Sequence, residues 1–209
     1  TPLTSYLTDE EVSMFTAPMQ DEIRYNGEIY GAAMGDSSLV MYYNTDLLEQ
    51  AGITYDFSAL SGDNRITWEE LVDIAKQVQS KLDPDGSQGL IGIEFQQVGR
   101  TYQMNVLAND LGGKNIADGG LSVDGIINAE PWTSALNWYQ TQVNDGVFSK
   151  GIAAGDTSSY FMSDKIVFYL GTTAMPGTFA SNNFYHYGFT YVPCFAGHEA
   201  DVTTSCGSW

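Results

Sequence analysis

Positive charge is scarce in this chain: 8 Lys and Arg stand against 26 Asp and Glu, a formal charge of -18, so any polyanion would meet net repulsion. Nucleic acid is therefore not expected as a partner. Cysteine and histidine are almost absent as well, with only Cys194, Cys206, His186 and His198. Two cysteines are too few to staple a domain of this size, so the core must carry the stability. The spacing is compatible with a disulfide or with two free thiols. Both histidines fall late in the chain and no Gly-x-Ser-x-Gly elbow accompanies them, so triad hydrolysis is not expected. A phosphate loop ending in Gly-Lys-Ser/Thr is missing too, and the glycines around Gly112, Gly113, Gly119 and Gly120 follow a helix rather than open one. No apolar run approaches the roughly 20 residues a membrane-spanning helix needs. The sequence opens on Thr1 rather than Met and stops on the aromatic Trp209, and is expected to be a fragment or processed product.

What the chain does have is core material: 43% of its 209 residues are hydrophobic and 13% aromatic, enough for one large domain or two small ones. At Ile66-Thr67-Trp68-Glu69-Glu70-Leu71, Thr67 and Glu70 are spaced as a capping box and Ile66 and Leu71 as its hydrophobic staple. From there Leu71, Ile74, Ala75, Val78 and Leu82 recur at helical period until Asp83-Pro84-Asp85-Gly86 stops the helix. A second helix is read from Asn128 as cap to Gly146 as terminator, with Trp132, Ala135, Leu136, Tyr139 and Val143 as its core stripe. A third spans Arg100 to Leu111 with Met104, Leu107, Ala108 and Leu111 inward. A short one follows Asn44 and ends at Gly52. Between them, Ser38 to Tyr43, Leu90 to Phe95, Ile166 to Leu170 and Tyr187 to Val192 read as strands. This alternation predicts an α/β fold containing parallel strand pairs covered by helices, with ligand sites beyond the carboxyl ends of strands. Residues 1 to 26 have weaker periodicity and read as a lead-in.

Candidate sites for metal are poor. Cys194, His198, Asp201 and Cys206 fit no compact zinc spacing, and Asp83-Pro84-Asp85-Gly86-Ser87 starts like a calcium loop but lacks its later ligands. Groups suited to sugar hydroxyls gather at predicted strand ends instead. Gln96-Gln97-Val98-Gly99-Arg100-Thr101-Tyr102 follows one strand, Gly171-Thr172-Thr173 another, and Asp36-Ser37-Ser38 precedes a third. Amides, hydroxyls and a carboxylate donate to and accept from a sugar, and tyrosine covers its apolar face. Ordinary polar loops would look the same.

The order of segments resembles a known family. Tyr25-Asn26-Gly27-Glu28-Ile29-Tyr30-Gly31 comes first, then Leu39 to Asn44 with Asp46-Leu47-Leu48 and Ala51-Gly52-Ile53, then Thr67-Trp68-Glu69-Glu70-Leu71. Phe161-Met162-Ser163-Asp164-Lys165 and Tyr187-Gly188 to Val192-Pro193 follow. Together these are similar to the extracellular solute-binding proteins of ABC importers, in particular the maltose-binding-protein-like group. The resemblance implies a two-lobed α/β receptor of the periplasmic-binding-protein type II class that closes on its ligand by hinge bending. It would carry no chemistry and no cofactor, pass a sugar or oligosaccharide to membrane permease subunits, and sit in the periplasm or on the cell surface. Any membrane tether would be a lipid anchor outside this chain.

By that comparison residues 1–35 end the first lobe, 36–193 form most of the second as a mixed sheet flanked by helices, and 194–209 return toward the first. The ligand-contacting positions carried over are Asp36 and Ser37 on the hinge strand, Gln96, Arg100 and Tyr102 in the first loop, Gly171, Thr172 and Thr173 after the later strand, and Trp209. Two departures stand out. Thr172 and Thr173 occupy the place where the family often has a stacking tryptophan, and Asp164 stands where glycine is usual. A glycan-acting hydrolase or a free carbohydrate-binding module is the alternative reading. Within the receptor class, a peptide, polyol or metal ligand is another, although Tyr42 and Tyr43, adjacent on a strand, would face opposite sides.

Overall fold

A computed structural model describes residues 1–118, 120–199 and the backbone of 207–208, which fall into two compact units, 1–38 with 207–208 and 39–199. The first unit holds more structure than its periodicity predicts. Helix α1 (Asp9–Ser13) opens on a full capping box between Thr8 and Glu11, and α2 (Ala17–Glu22) is capped by Thr16 with Pro18 in its first turn. Both helices are too short to show an apolar stripe, so only their caps mark them. Strands β1 (Arg24–Tyr25) and β2 (Glu28–Ile29) pair antiparallel. Asn26 and Gly27 join them with φ of 49° and 80°, the left-handed pair that a tight hairpin turn requires. Strand β3 (Asp36–Ser37) pairs antiparallel with Gly207–Ser208.

The second unit runs β4 (Leu39–Asn44), α3 (Thr45–Gln50), α4 (Trp68–Leu82), β5 (Ile91–Phe95), α5 (Thr101–Asp110), α6 (Glu130–Asn144), α7 (Thr157–Met162), β6 (Ile166–Thr172), α8 (Met175–Ser181) and β7 (Tyr187–Thr190). Its sheet has the order β5-β6-β4-β7. Only β5 and β6 are parallel; β4 runs antiparallel to both β6 and β7. The sheet is therefore mixed, with one parallel pair. Strand β6 continues through Gly171 to Thr172 rather than ending at Leu170.

Each sheet face is covered. On one side Met41, Phe168, Leu170, Ile93 and Phe95 share a cluster with α4 residues Trp68, Leu71, Ile74, Ala75 and Val78. On the other, Tyr42 and Tyr169, which are cross-strand partners, pack with Phe161, Met175 and Phe179 of α7 and α8. Tyr42 and Tyr43 do face opposite sides: Tyr42 meets Phe179 edge-on, while Tyr43 stacks on Phe57 at 4.4 Å. Burial at about 1.5–3 kcal/mol per large apolar side chain holds α4 to the sheet. Its start is fixed as expected, Thr67 and Glu70 exchanging cap bonds. The Trp68 amide also donates to the Cys194 carbonyl, and the Cys194 amide to that of Ile66.

Three helix readings shift. The cap of α6 is Ala129, not Asn128, whose amide instead donates to Asp124. Leu136 of that helix is 44% exposed, and Trp138 packs against the core in its place. In α5 the buried set is Gln103, Asn105, Val106, Leu107, Ala108 and Asp110, with Met104 and Leu111 only partly covered. Cys194 is a buried free thiol, whereas Gly119, Asp201, Cys206 and Trp209 lie outside the described residues. Among the described residues no helix is long and apolar enough to cross a membrane.

Candidate ligand-binding site

Because β5 and β6 run parallel with Phe95 opposite Leu170, the chain leaving β5 arrives beside the end of β6. Gln96 ties the two together. Its amide donates to the Leu170 carbonyl at 2.8 Å, and its side-chain Oε1 accepts the Thr172 amide at 3.0 Å. Its Nε2 points to the Met175 sulfur at 3.2 Å, and its carbonyl accepts from the Thr157 hydroxyl at 2.8 Å. The Tyr42 hydroxyl donates to the Thr172 carbonyl at 2.9 Å. Burial, followed by the neighbouring Tyr187 and Tyr169, pushes that phenol well above its ordinary range, so it stays a neutral donor. Gly171 is needed for closeness: a Cβ there would lie 3.2–3.3 Å from Met175, Tyr169 and Tyr42.

The loop after Gln96 is held from below. Buried Gln103 accepts the Gln97 amide at 2.6 Å, and its Nε2 donates to the Tyr102 hydroxyl at 3.3 Å. That hydroxyl donates in turn to the Gln97 side chain at 3.2 Å. Tyr102 is half-buried against the main cluster. Arg100 is exposed at the N-terminal boundary of α5 without a side-chain cap bond. Thr173 is exposed beyond β6.

Glu94, on β5 two residues before Gln96, is a buried carboxylate. Glu94 accepts the Phe95 amide at 3.0 Å and the Ser149 hydroxyl. Burial raises its carboxyl above the ordinary range, and the bonds from Ser149 and Phe95 oppose the rise only in part. The carboxylates of the Asp83-Pro84-Asp85-Gly86 turn close their own loop: Asp83 accepts from the amides of Gln88 and Leu90, and Asp85 from that of Ser87. His186 pairs with Asp164 at 2.9 Å, beside Asn44, at the opposite end of the sheet from Gln96. Asp164 has φ of 57°, the left-handed backbone that explains why glycine suits that position.

Of the residues read from sequence, Gln96 meets Gly171 and Thr172 directly, Arg100 is the N-cap of α5, Tyr102 lies in the first turn of that helix rather than in the loop, and Thr173 is next along the chain after β6. Asp36 and Ser37 belong to the first unit, where Asp36 accepts the Thr16 hydroxyl at 3.0 Å. Trp209 is outside the described residues. Sequence reading missed Gln103 and Thr157. Gln103, Val106, Leu107 and Asp110 recur at helical spacing, which places a polar residue on a buried stripe and marks Gln103 as a side chain in need of internal partners.

A family described as bacterial extracellular solute-binding protein matches residues 3–208. The chain is 27% identical over 169 residues to a binding protein of Brucella abortus (strain 2308), covering 79% of this chain and 38% of that protein. It is 32% identical over 104 residues to the lactose-binding protein of Rhizobium radiobacter, covering 46% and 23%. Maltose-bound T. maritima MalE3 superposes with a TM-score of 0.77 at 19% identity, covering 100% of this chain and 51% of that one. A cyclic alpha-maltosyl-1,6-maltose binding protein from Arthrobacter globiformis superposes with a TM-score of 0.77 at 16% identity, covering 100% and 49%. The chain thus spans about half the length of these solved structures. With the mixed sheet and flanking helices matched throughout, and the family matched from residue 3 to 208, this chain belongs to the bacterial extracellular solute-binding proteins.

Proposed function

We propose that the full-length protein is the solute receptor of an ABC importer, taking a sugar or oligosaccharide into a cleft between two lobes and delivering it unaltered to permease subunits. Residues 36–193 would form most of one lobe and 194–209 the return toward the other. The observation that carries this is the Gln96–Thr172 bond. It brings the 96–102 loop and the 171–173 segment to one place at the carboxyl ends of a parallel strand pair, where ligands bind in open α/β sheets. Because the Gln96 amide is engaged inside the protein, its role is to hold the rim. Arg100, Thr172 and Thr173 would supply donors and acceptors, Tyr102 a ring face and Gly171 a close backbone; Asp36, Ser37 and Trp209 stay candidate ligand contacts on the family resemblance alone. Sugars and polyols named with the relatives, such as lactose, maltose, D-mannitol and alpha-D-tagatose, support a hydroxyl-rich ligand. The receptor works outside the cytoplasm, in the periplasm or held at the surface by lipid.

The test is calorimetric titration of the full-length protein with lactose, maltose, mannitol and tagatose, followed by mass spectrometry of each ligand after incubation. Saturable binding with every sugar recovered intact is expected. Turnover of any of them would make the protein an enzyme, and a flat titration across the panel would remove the sugar receptor.

A further inference from the structure

Eight Lys and Arg serve a chain with 26 Asp and Glu, and most of them are engaged within the protein. Lys76 pairs with Asp145 and Lys114 with Asp118, both at 2.9 Å. Lys81, Lys165, Arg24 and Arg65 donate to the carbonyls of Ala51, Gln88, Gly27 and Val192. The two left over are Arg100 and Lys150, exposed and without an ion pair or side-chain hydrogen bond among the described residues. Both stand at the same end of the sheet. Arg100 lies on the chain leaving β5, its amide donating to the Gln97 carbonyl at 2.7 Å. Lys150 follows a run laid parallel to β5, in which Phe148 is bridged to Ile93 and the Val147 carbonyl accepts the Gly92 and Ile93 amides. Ser149 then donates to Glu94, and farther along the same run the Thr157 hydroxyl donates to the Gln96 carbonyl at 2.8 Å. The segment bearing Lys150 therefore emerges beside Gln96, at the carboxyl end of the parallel pair.

Carboxylates are scarce where these cations stand. Residues 95–109 carry Arg100 as their one formal charge, and residues 166–198 contain no Asp or Glu. Glu94 is buried and already accepts from Ser149 and the Phe95 amide. Asp156, exposed on the Lys150 run, forms no ion pair. A lone exposed cation needs no partner but water; two unpaired ones meeting at the open end of the sheet, in so acidic a chain, are placed for an anion. We propose that the ligand is an acidic saccharide, a sugar bearing a carboxylate or phosphate group, and that Arg100 and Lys150 are the specificity-determining residues that hold its anion. This rests on the receptor reading above and narrows it. Arg100 offers a planar fork that matches an oxyanion, and Lys150 a compact charge on a flexible stem. The overall charge of -18 repels anions at long range, but salt screens it beyond about 8 Å, so selection falls to the groups that touch the ligand.

Calorimetry on the full-length protein tests this with two matched series, glucose against glucuronate and glucose 6-phosphate, and galactose against galacturonate. At least one acidic sugar is expected to bind about tenfold more tightly than its neutral parent, and which one does so identifies the anion. In the double variant Arg100→Gln/Lys150→Gln the preference should fall to within about threefold. Its Tm should stay within about 1 °C of the parent, since both side chains are exposed. Lys114→Gln, which removes a cation already paired with Asp118, should keep the preference. Neutral parents that bind as tightly as their acidic partners, or a preference that survives the double variant, overturn the proposal and leave the sugar receptor standing. So does a flat titration with both series while lactose or maltose binds. No binding of any sugar removes the receptor reading and this proposal together.

Discussion

Gln96 and Thr172 stand 76 residues apart in sequence and share one hydrogen bond, the Gln96 Oε1 accepting the Thr172 amide at 3.0 Å. Removing the acceptor leaves a half-buried N–H without its partner, a loss of about 1–3 kcal/mol. If the two segments form one rim, part of that loss falls on ligand affinity. Gln96→Ala in the full-length protein is expected to weaken the calorimetric Kd by about tenfold, and Gln96→Glu, which keeps the acceptor, to recover most of it. Equal Kd values for Gln96→Ala and the parent would detach this bond from the site.

Gly188 lies opposite Tyr43 in the β4–β7 pairing, and a Cβ at that position would fall on the Tyr43 ring. The ring is also stacked on Phe57 at 4.4 Å, which restricts its movement. Gly188→Ala is therefore expected to cost about 1–3 kcal/mol by overpacking. In a thermal-denaturation cycle with Tyr43→Ala, the double variant should lose less stability than the two single losses added together. Strict additivity would show that strand and ring accommodate the methyl.

The parts of the fold that were legible in the sequence are those decided within one turn of chain. Thr67 and Glu70 meet across three residues, and Asn44 caps α3 by accepting the Leu47 amide. Asn128 looked equivalent, yet α6 begins at Glu130 with Pro131 behind it. Asn128 had a rival partner in Asp124, and a competing side-chain bond of that kind leaves no trace in helical period. The position of the 96–102 loop could be inferred from the strand before it. That the Gln96 side chain faces inward could not, because the Thr172 amide and the Met175 sulfur that hold it come from β6 and α8. The parallel pairing of β5 with β6 alone, and antiparallel pairing elsewhere, is likewise a property of chain crossings rather than of any local residue.

Glu94 makes stability depend on pH in a definite direction. Burial lifts its native carboxyl above the unfolded value, which is about 4.3. Between those two values the folded state binds more protons than the unfolded one, so this group's contribution falls as pH rises through that window. Glu94→Gln cannot ionise and keeps an oxygen for the Ser149 hydroxyl or the Phe95 amide. Its melting temperature should match the parent near pH 4 and exceed it progressively toward neutral pH. Parallel melting curves from pH 4 to 8 would mean that the carboxylate ionises without cost where it lies.

Tyr102 has two separable parts, a ring packed at the loop and a hydroxyl that links Gln97 to Gln103. Tyr102→Phe keeps the ring and removes the link, leaving the Gln97 and Gln103 amides to find new partners. With neutral hydrogen bonds worth about 0.5–1.5 kcal/mol each, the ligand Kd is expected to weaken by about three- to tenfold. Tyr102→Ala also removes the face proposed to cover the sugar ring, and should weaken binding further, while Arg100→Ala should lose affinity through its donors alone and leave the melting temperature within about 1 °C. The three variants are compared by calorimetry on the full-length protein. If Tyr102→Ala binds no more weakly than Tyr102→Phe, the ring serves only to pack the loop and the covering face must come from elsewhere.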